Sequence, residues 1–167
     1  MFYFYLIFSV VILQRILELK IAQKNERWMK ARSGIEVGRK HYPLFIYLHI
    51  LFFVSLYYEV IKKEPIVFQM VFFVIFVIAQ IGRFWCITSL GKFWNTKIIV
   101  IPNVIMIKKG PYRWLKHPNY VIVFIELFTL PLTFNAYIVA IIFPILHILL
   151  LLIRIPEEEK ALAGKIN

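Results

Sequence analysis

Apolar residues fall into five runs, at residues 2–21, 42–61, 65–85, 118–133 and 137–153. Crossing a bilayer as a helix takes about 20 apolar residues. The first three runs meet that length. The fourth and fifth are shorter, and the connector Leu132-Thr133-Phe134-Asn135-Ala136 between them is tight. The pattern predicts an all-α, polytopic membrane protein with about five transmembrane helices, the last two forming a helical hairpin that only just reaches the far face. No internal repeat, low-complexity linker or separable soluble segment interrupts it. Residues 1–167 therefore read as a single membrane-embedded domain, with three helices in 1–85 and a second half in 86–167. Within 86–117, the β-branched runs Ile98-Ile99-Val100-Ile101 and Val104-Ile105-Met106-Ile107, broken by Pro102 and Asn103, fit a small hairpin or a segment at headgroup level.

Composition makes the membrane assignment firmer. The chain is 61% hydrophobic, against about 45–50% apolar in a soluble domain. A chain this small buries too little surface to hide that excess, so the surplus faces lipid. The single cysteine, Cys86, excludes an intrachain disulfide and a thiolate metal cage. A cleavable leader is not expected, because no basic segment precedes the first run and no small-x-small site follows it.

The net charge of +11 would suggest nucleic acid in a soluble protein, but here the cations lie between apolar runs. Lys20, Lys24, Arg27, Lys30, Arg32, Arg39 and Lys40 separate the first two runs. Arg83, Lys92, Lys97, Lys108, Lys109, Arg113 and Lys116 separate the third and fourth, and Arg154, Lys160 and Lys165 follow the fifth. The alternate connections hold only Lys62 and Lys63. By the positive-inside rule the N-terminus is outside, the C-terminus is cytoplasmic, and the protein sits in the cell membrane with its polar motifs on the cytoplasmic face. Nucleic acid is not an expected partner; membrane lipids are.

Two of these motifs can carry chemistry. In Gly110-Pro111-Tyr112-Arg113-Trp114-Leu115-Lys116-His117-Pro118-Asn119-Tyr120, Gly110-Pro111 marks a turn and Pro118 suits the first turn of the fourth helix. His117 and Asn119 then flank a helix N-terminus, whose free amides favour an anion. Tyr112, Trp114 and Tyr120 can stack on a ring or a soft cation. The plainer reading of the same residues is an interfacial aromatic belt. In the second motif, Arg154-Ile155-Pro156-Glu157-Glu158-Glu159-Lys160-Ala161-Leu162, Arg154 can pair with a ligand carboxylate and a Glu with a ligand amine or hydroxyls. A solvated tail is the alternative. A hairpin of helices four and five returns both motifs to one face, so they can meet.

Ionisable residues within the runs form a third set. Arg15 and Glu18 read as a structural pair, and His49 as a hydrogen-bonded core residue. Glu126, in the middle of the fourth run, is a candidate catalytic residue that takes up or relays a proton near an acceptor. His147 lies in the middle of the fifth. Four histidines with no HxxH or HxxxH spacing argue against a metal centre.

The pattern Gly110-Pro111-Tyr112, then Lys116-His117-Pro118-Asn119-Tyr120, then Arg154-x-x-x-Glu158-Glu159-x-x-Leu162 resembles the isoprenylcysteine carboxyl methyltransferase family. Leu90-Gly91-x-x-Trp94 adds to the likeness. Arg15-x-x-Glu18-Leu19 and Glu36-x-Gly38-x-x-His41-Tyr42-Pro43 are similar to its small bacterial branch. The usual Arg of the family is Lys116 here, which keeps the charge but loses the planar fork.

The resemblance implies S-adenosylmethionine-dependent O-methylation of a lipophilic acceptor that enters from the bilayer, either a prenylcysteine-like carboxylate or an alkylpyrone-like enol or phenol. It implies a cofactor pocket formed by His117, Pro118 and Tyr120, by backbone around Gly110 and Tyr112, and by Glu158 with Glu159. Arg154 would orient the acceptor or polarise its oxygen. Two rivals remain: a membrane NADPH-dependent reductase, which shares the H-P-x-Y element, and a non-enzymatic adaptor or transporter.

Overall fold

The computed structural model describes every residue except 64, 103, 105, 106 and 165–167. Its elements, in chain order, are α1 (Phe2–Lys30), β1 (Ile35–Val37), α2 (Tyr42–Lys62), α3 (Met70–Leu90), β2 (Ile98–Val100), α4 (Pro118–Thr133) and α5 (Tyr137–Leu162), with short 3₁₀ turns at Gly91–Phe93 and Gly110–Arg113. This is an all-α, multi-pass membrane protein. Among the described residues, four helices are long and apolar enough to cross a bilayer, and α4 is shorter at 16 residues. Large apolar side chains such as Val10, Leu13, Val71, Ile78, Phe84 and Leu152 point outward and exposed. That is the surface expected where lipid replaces water.

Three boundaries differ from the apolar runs, each for a packing reason. α1 continues nine residues past Ile21, because Ala22, Asn25 and Met29 recur at helical spacing and are buried. Asn25 donates from Nδ2 to the carbonyls of Gly91 (3.1 Å) and Trp94 (2.7 Å), tying the extension to the turn after α3. The helix ends where Gly34 N–H bonds Met29 O at 3.0 Å, and a Cβ on Gly34 would lie 2.6 Å from that oxygen. α3 begins at Met70 rather than Pro65. Gln69, just before the helix, is extended and donates its N–H to Thr133 O (2.9 Å) at the end of α4. α5 does not stop at Ile153. It runs through Pro156 to Leu162, so the expected tail is helix.

The far end is held by an aromatic cluster of Phe4, Phe52, Phe134 and Phe143, and by Glu59. Glu59 accepts the first free amides of α5, from Ile138 (3.2 Å) and Val139 (2.9 Å), while Lys63 bridges Glu59 and Asn135 O at 2.9 Å each. A carboxylate at a helix N-terminus satisfies its free donors and favours its dipole.

Mid-membrane, α1, α3 and α4 share a polar cluster. Arg83 Nε and Nη2 donate to Glu18 Oε1 (2.8 Å) and Oε2 (2.7 Å) as a two-pronged pair. Arg15 bridges Glu18 (2.8 Å) and Glu126 (2.8 Å), and Arg83 Nη1 reaches Glu126 at 3.1 Å. Gln80 donates to Glu126 (3.0 Å) and accepts from Gln14 (2.7 Å). Two cations meet two anions, so the cluster is neutral. Arg83, grouped in the sequence with the connecting cations, is buried inside α3.

At the basic end, β1 and β2 form an antiparallel ribbon with Ile35 opposite Val100 and Val37 opposite Ile98. Ile98–Val100 is thus a strand, as its β-branching suggests, but it pairs across the sequence with the α1–α2 connection. Of the expected local partner run, Ile105 and Met106 lie outside the described residues. The Glu36 carboxyl would be raised by partial burial, but Lys30 (3.0 Å) and Lys97 (3.5 Å) outweigh this and hold it below its usual range.

Candidate active site

The α4–α5 connection turns sharply, with Asn135 at φ 56° and Ala136 N–H bonded to Pro131 O (3.0 Å). The two helices return antiparallel, bringing the start of α4 against the end of α5. His117 precedes the first helical residue, Pro118, which needs no amide partner there. One turn into α4, the Tyr120 hydroxyl accepts from Arg154 Nε at 2.7 Å and donates to Glu158 Oε2. Arg154 Nη2 donates to Thr96 O at 2.6 Å, and its guanidinium lies 4.8 Å from the Phe45 ring centroid. Arg154 is buried, with 8% of its surface exposed, so its charge is held in place by these partners and the aromatic ring.

On the other side of Tyr120, the His117 ring stacks on the tyrosine ring with centroids 5.4 Å apart. His117 Nδ1 lies 3.8 Å from Glu158, and Nε2 lies 3.5 Å from Glu159 Oε1, in ion-pair range but outside hydrogen-bond geometry. Lys116 Nζ donates to Glu159 at 3.3 Å. His117, Tyr120, Arg154, Glu158 and Glu159, which the two sequence motifs contain, are therefore one cluster. Gly110 and Tyr112 flank it on a 3₁₀ turn laid on the end of α3. Gly110 has φ 54°, and a Cβ there would overlap Ser89 Oγ and sit 2.9 Å from Trp85 Nε1. Burial, with Cys86 adding to it, holds the Tyr112 phenol well above its usual range, so it stays protonated.

Glu126 is placed elsewhere. It lies six residues beyond Tyr120, about 9 Å along α4, with both oxygens engaged by Arg15, Arg83 and Gln80. It borders a crevice of about 10 Å³, lined also by Arg15, His49 and Phe52. That is room for one water. His49 Nδ1 bonds Phe45 O at 2.7 Å, the local bond of a core histidine.

Sequence reasoning did not single out Thr96 or Phe45, which hold Arg154, or Gln80 and Arg83, which hold Glu126. The signal for the second pair was present. Gln14 and Glu18 on α1, and Gln80 and Arg83 on α3, recur at three- and four-residue spacing inside apolar runs, which marks one helix face.

Three buried polar atoms lack a hydrogen bond among the described residues: His117 Nε2, Asn119 Oδ1 and His147 Nδ1. Buried polar groups are rarely left unpaired. The first two sit at the start of α4 beside carboxylates, a guanidinium and stacked rings. This set of groups can hold a ligand that carries an ammonium and a soft cation, since carboxylates suit an ammonium and an aromatic face suits a cation.

Residues 70–164 match the Isoprenylcysteine carboxyl methyltransferase (ICMT) family. The chain is 44% identical to the uncharacterized protein YpbQ of Bacillus subtilis (strain 168), over 95% of this chain and 96% of that one. It is 26% identical to an uncharacterized protein of Haemophilus influenzae (strain ATCC 51907 / DSM 11121 / KW20 / Rd), over 93% and 92% respectively. No solved structure matches.

Proposed function

The chain belongs to the isoprenylcysteine carboxyl methyltransferase family, and on that premise we propose that it is an S-adenosylmethionine-dependent O-methyltransferase of the cell membrane. Its acceptor is an amphiphile that enters from the bilayer and offers a carboxylate or an acidic enol or phenol oxygen. The observation that carries this reading is the chain of contacts Thr96–Arg154–Tyr120–Glu158, which joins the ends of α4 and α5 beside the unpaired His117 Nε2. The distribution of Lys and Arg supports a cytoplasmic position for this end.

S-adenosylmethionine supplies an electrophilic methyl group when bound. The chain's residues do the rest by positioning. Glu158, Glu159 and His117 hold the polar groups of the cofactor, and the Gly110–Tyr112 turn walls the pocket. Arg154, fixed by Tyr120 and Thr96, orients the acceptor oxygen. Alignment of two bound reactants can account for about 7–11 kcal/mol of barrier. A soluble nucleotide fold is not needed when the helix N-terminus supplies free amides.

The test is methyl transfer from isotope-labelled S-adenosylmethionine into a total lipid extract, followed by mass spectrometry. The purified protein should label a lipophilic species. Arg154→Ala should abolish labelling while the protein remains folded, and full labelling by that variant would remove the role given to Arg154.

A further inference from the structure

The end of α5 presents three consecutive carboxylates, and the structure divides them. Glu158 meets Tyr120 and His117, and Glu159 meets Lys116 and His117. Glu157 goes the other way. Its Oε2 lies 3.3 Å from His41 Nδ1, at the start of α2. Helical geometry explains the split. At about 100° per residue, Glu157 and Glu158 fall roughly 60° and 40° to opposite sides of Arg154. Arg154 therefore has a carboxylate–histidine pair on each flank.

The His41 flank is built for its carboxylate. Gly38 has φ 66°, and a Cβ at that position would lie 2.7 Å from Glu157 Oε2, so the turn before α2 closes directly on the acid. His41 N–H bonds Gly38 O at 3.1 Å, fixing the same turn. Two nearby cations are committed elsewhere. Lys97 pairs with Glu26 and Glu36, and Arg154 with Tyr120 and Thr96. The next residue, Tyr42, bonds Thr96 Oγ1 at 3.0 Å, and Phe45, one turn on, carries the Arg154 guanidinium. The imidazole thus belongs to the wall that holds Arg154, on the side away from His117. It is about one-third exposed (34%), which leaves it open to a ligand.

We infer that His41, oriented by Glu157, is the general base that deprotonates the acceptor. The inference rests on the methyltransferase reading above. In the neutral ring a carboxylate at Nδ1 accepts its hydrogen, which makes Nε2 the acceptor nitrogen. No hydrogen bond occupies Nε2 among the described residues. Arg154 cannot act as a base, because its guanidinium does not give up its proton. A carboxylate acceptor would need no base at all. The dyad therefore implies an acceptor whose reacting oxygen carries a proton, an enolic or phenolic hydroxyl. The acceptor O–H bond breaks toward His41 Nε2. The acceptor oxygen bonds to the methyl carbon as the carbon–sulfur bond breaks, its electron pair staying on sulfur. The proton then leaves His41 for water, and Arg154 faces the developing oxyanion.

The test compares two probes, para-dodecylphenol and its ortho-nitro derivative, at a mildly alkaline pH where the nitrophenol is largely ionised and the plain phenol is not. His41→Gln should lose on the order of 100-fold in kcat/KM on the plain phenol, the usual scale of general-base catalysis. On the nitrophenol it should lose little. Glu157→Gln should fall between. With cofactor-free protein, the nitrophenol bound somewhat below its solution pKa should absorb as phenolate in the wild type and not in His41→Gln. Affinity for S-adenosylhomocysteine should be the same in both proteins. Equal losses on the two probes would mean that His41 only supports the fold, and undiminished activity on the plain phenol would remove it from the chemistry. A wild type that binds S-adenosylhomocysteine but methylates neither phenol would overturn the inference alone. A wild type that does not bind it would overturn the methyltransferase reading as well.

Discussion

Glu126→Gln separates a structural carboxylate from a proton carrier. In the native protein Glu126 Oε2 accepts from Arg15 Nη2 (2.8 Å) and Arg83 Nη1 (3.1 Å), and Oε1 accepts from Gln80 Nε2 (3.0 Å). A glutamine there has one acceptor in place of two. If its oxygen serves the arginines, its amide confronts the Gln80 amide. Gln80 cannot flip without breaking its bond from Gln14 (2.7 Å). One bond is lost in either arrangement, and two buried guanidiniums face one remaining carboxylate, Glu18. Breaking a buried ion pair from one side costs about 3–5 kcal/mol. For a chain of this length that corresponds to a fall in Tm of roughly 6–20 °C. The assay is tryptophan-monitored thermal unfolding in detergent. Arg15→Gln combined with Glu126→Gln restores neutrality and leaves the two-pronged Arg83–Glu18 pair intact. The double variant should therefore be more stable than the sum of the single losses by about 1 kcal/mol or more. Turnover per folded molecule should survive Glu126→Gln, since the Tyr120–Arg154 cluster is untouched. A variant that unfolds within about 0.5 kcal/mol of wild type but is inactive would refute this assignment and put Glu126 in the proton path.

Tyr120→Phe removes the hydroxyl that links Arg154 to Glu158. Hydrogen bonds to charged groups are worth about 1.5–3 kcal/mol, so Tm should fall by roughly 3–12 °C, and kcat/KM per folded molecule should fall as Arg154 loses its anchor. Gly110→Ala forces a Cβ into Ser89 and into a positive-φ backbone. It should cost about 1–2 kcal/mol from conformation alone, and Ser89→Gly should recover only the steric remainder. Because the Glu36 carboxyl is held below its usual range by Lys30 and Lys97, its contribution to stability is full above about pH 4.5 and fades as pH falls through the lower folded value. The pairs are partly exposed, so the effect is below about 1 kcal/mol, and Glu36→Gln should lack this pH dependence in unfolding scans.

The helices and the meeting of the two motifs could be read from the sequence, because lipid demands long apolar runs and a tight α4–α5 turn leaves one return path. Arg154 and Tyr120 were therefore expected on one face, and they touch. What could not be read was set by non-local packing. The extension of α1 looks polar, yet Asn25 is buried because two carbonyls near Gly91 await it. Ile98–Val100 pairs with Ile35–Val37, more than sixty residues away, where a local pattern suggests a hairpin. Thr96 contributes a backbone carbonyl to Arg154, a role that leaves no trace in residue type. Glu157, Glu158 and Glu159 are alike in sequence, and only the helical course of α5 through Pro156 sends them to different partners.

The most direct test of the central claim is titration of the detergent-purified protein with S-adenosylhomocysteine, beside NADPH as control. The account predicts micromolar binding of S-adenosylhomocysteine, about 8 kcal/mol, weakened by His117→Ala and by Glu158→Ala, and no binding of NADPH. Binding of NADPH alone, or of neither nucleotide by folded protein, would contradict it.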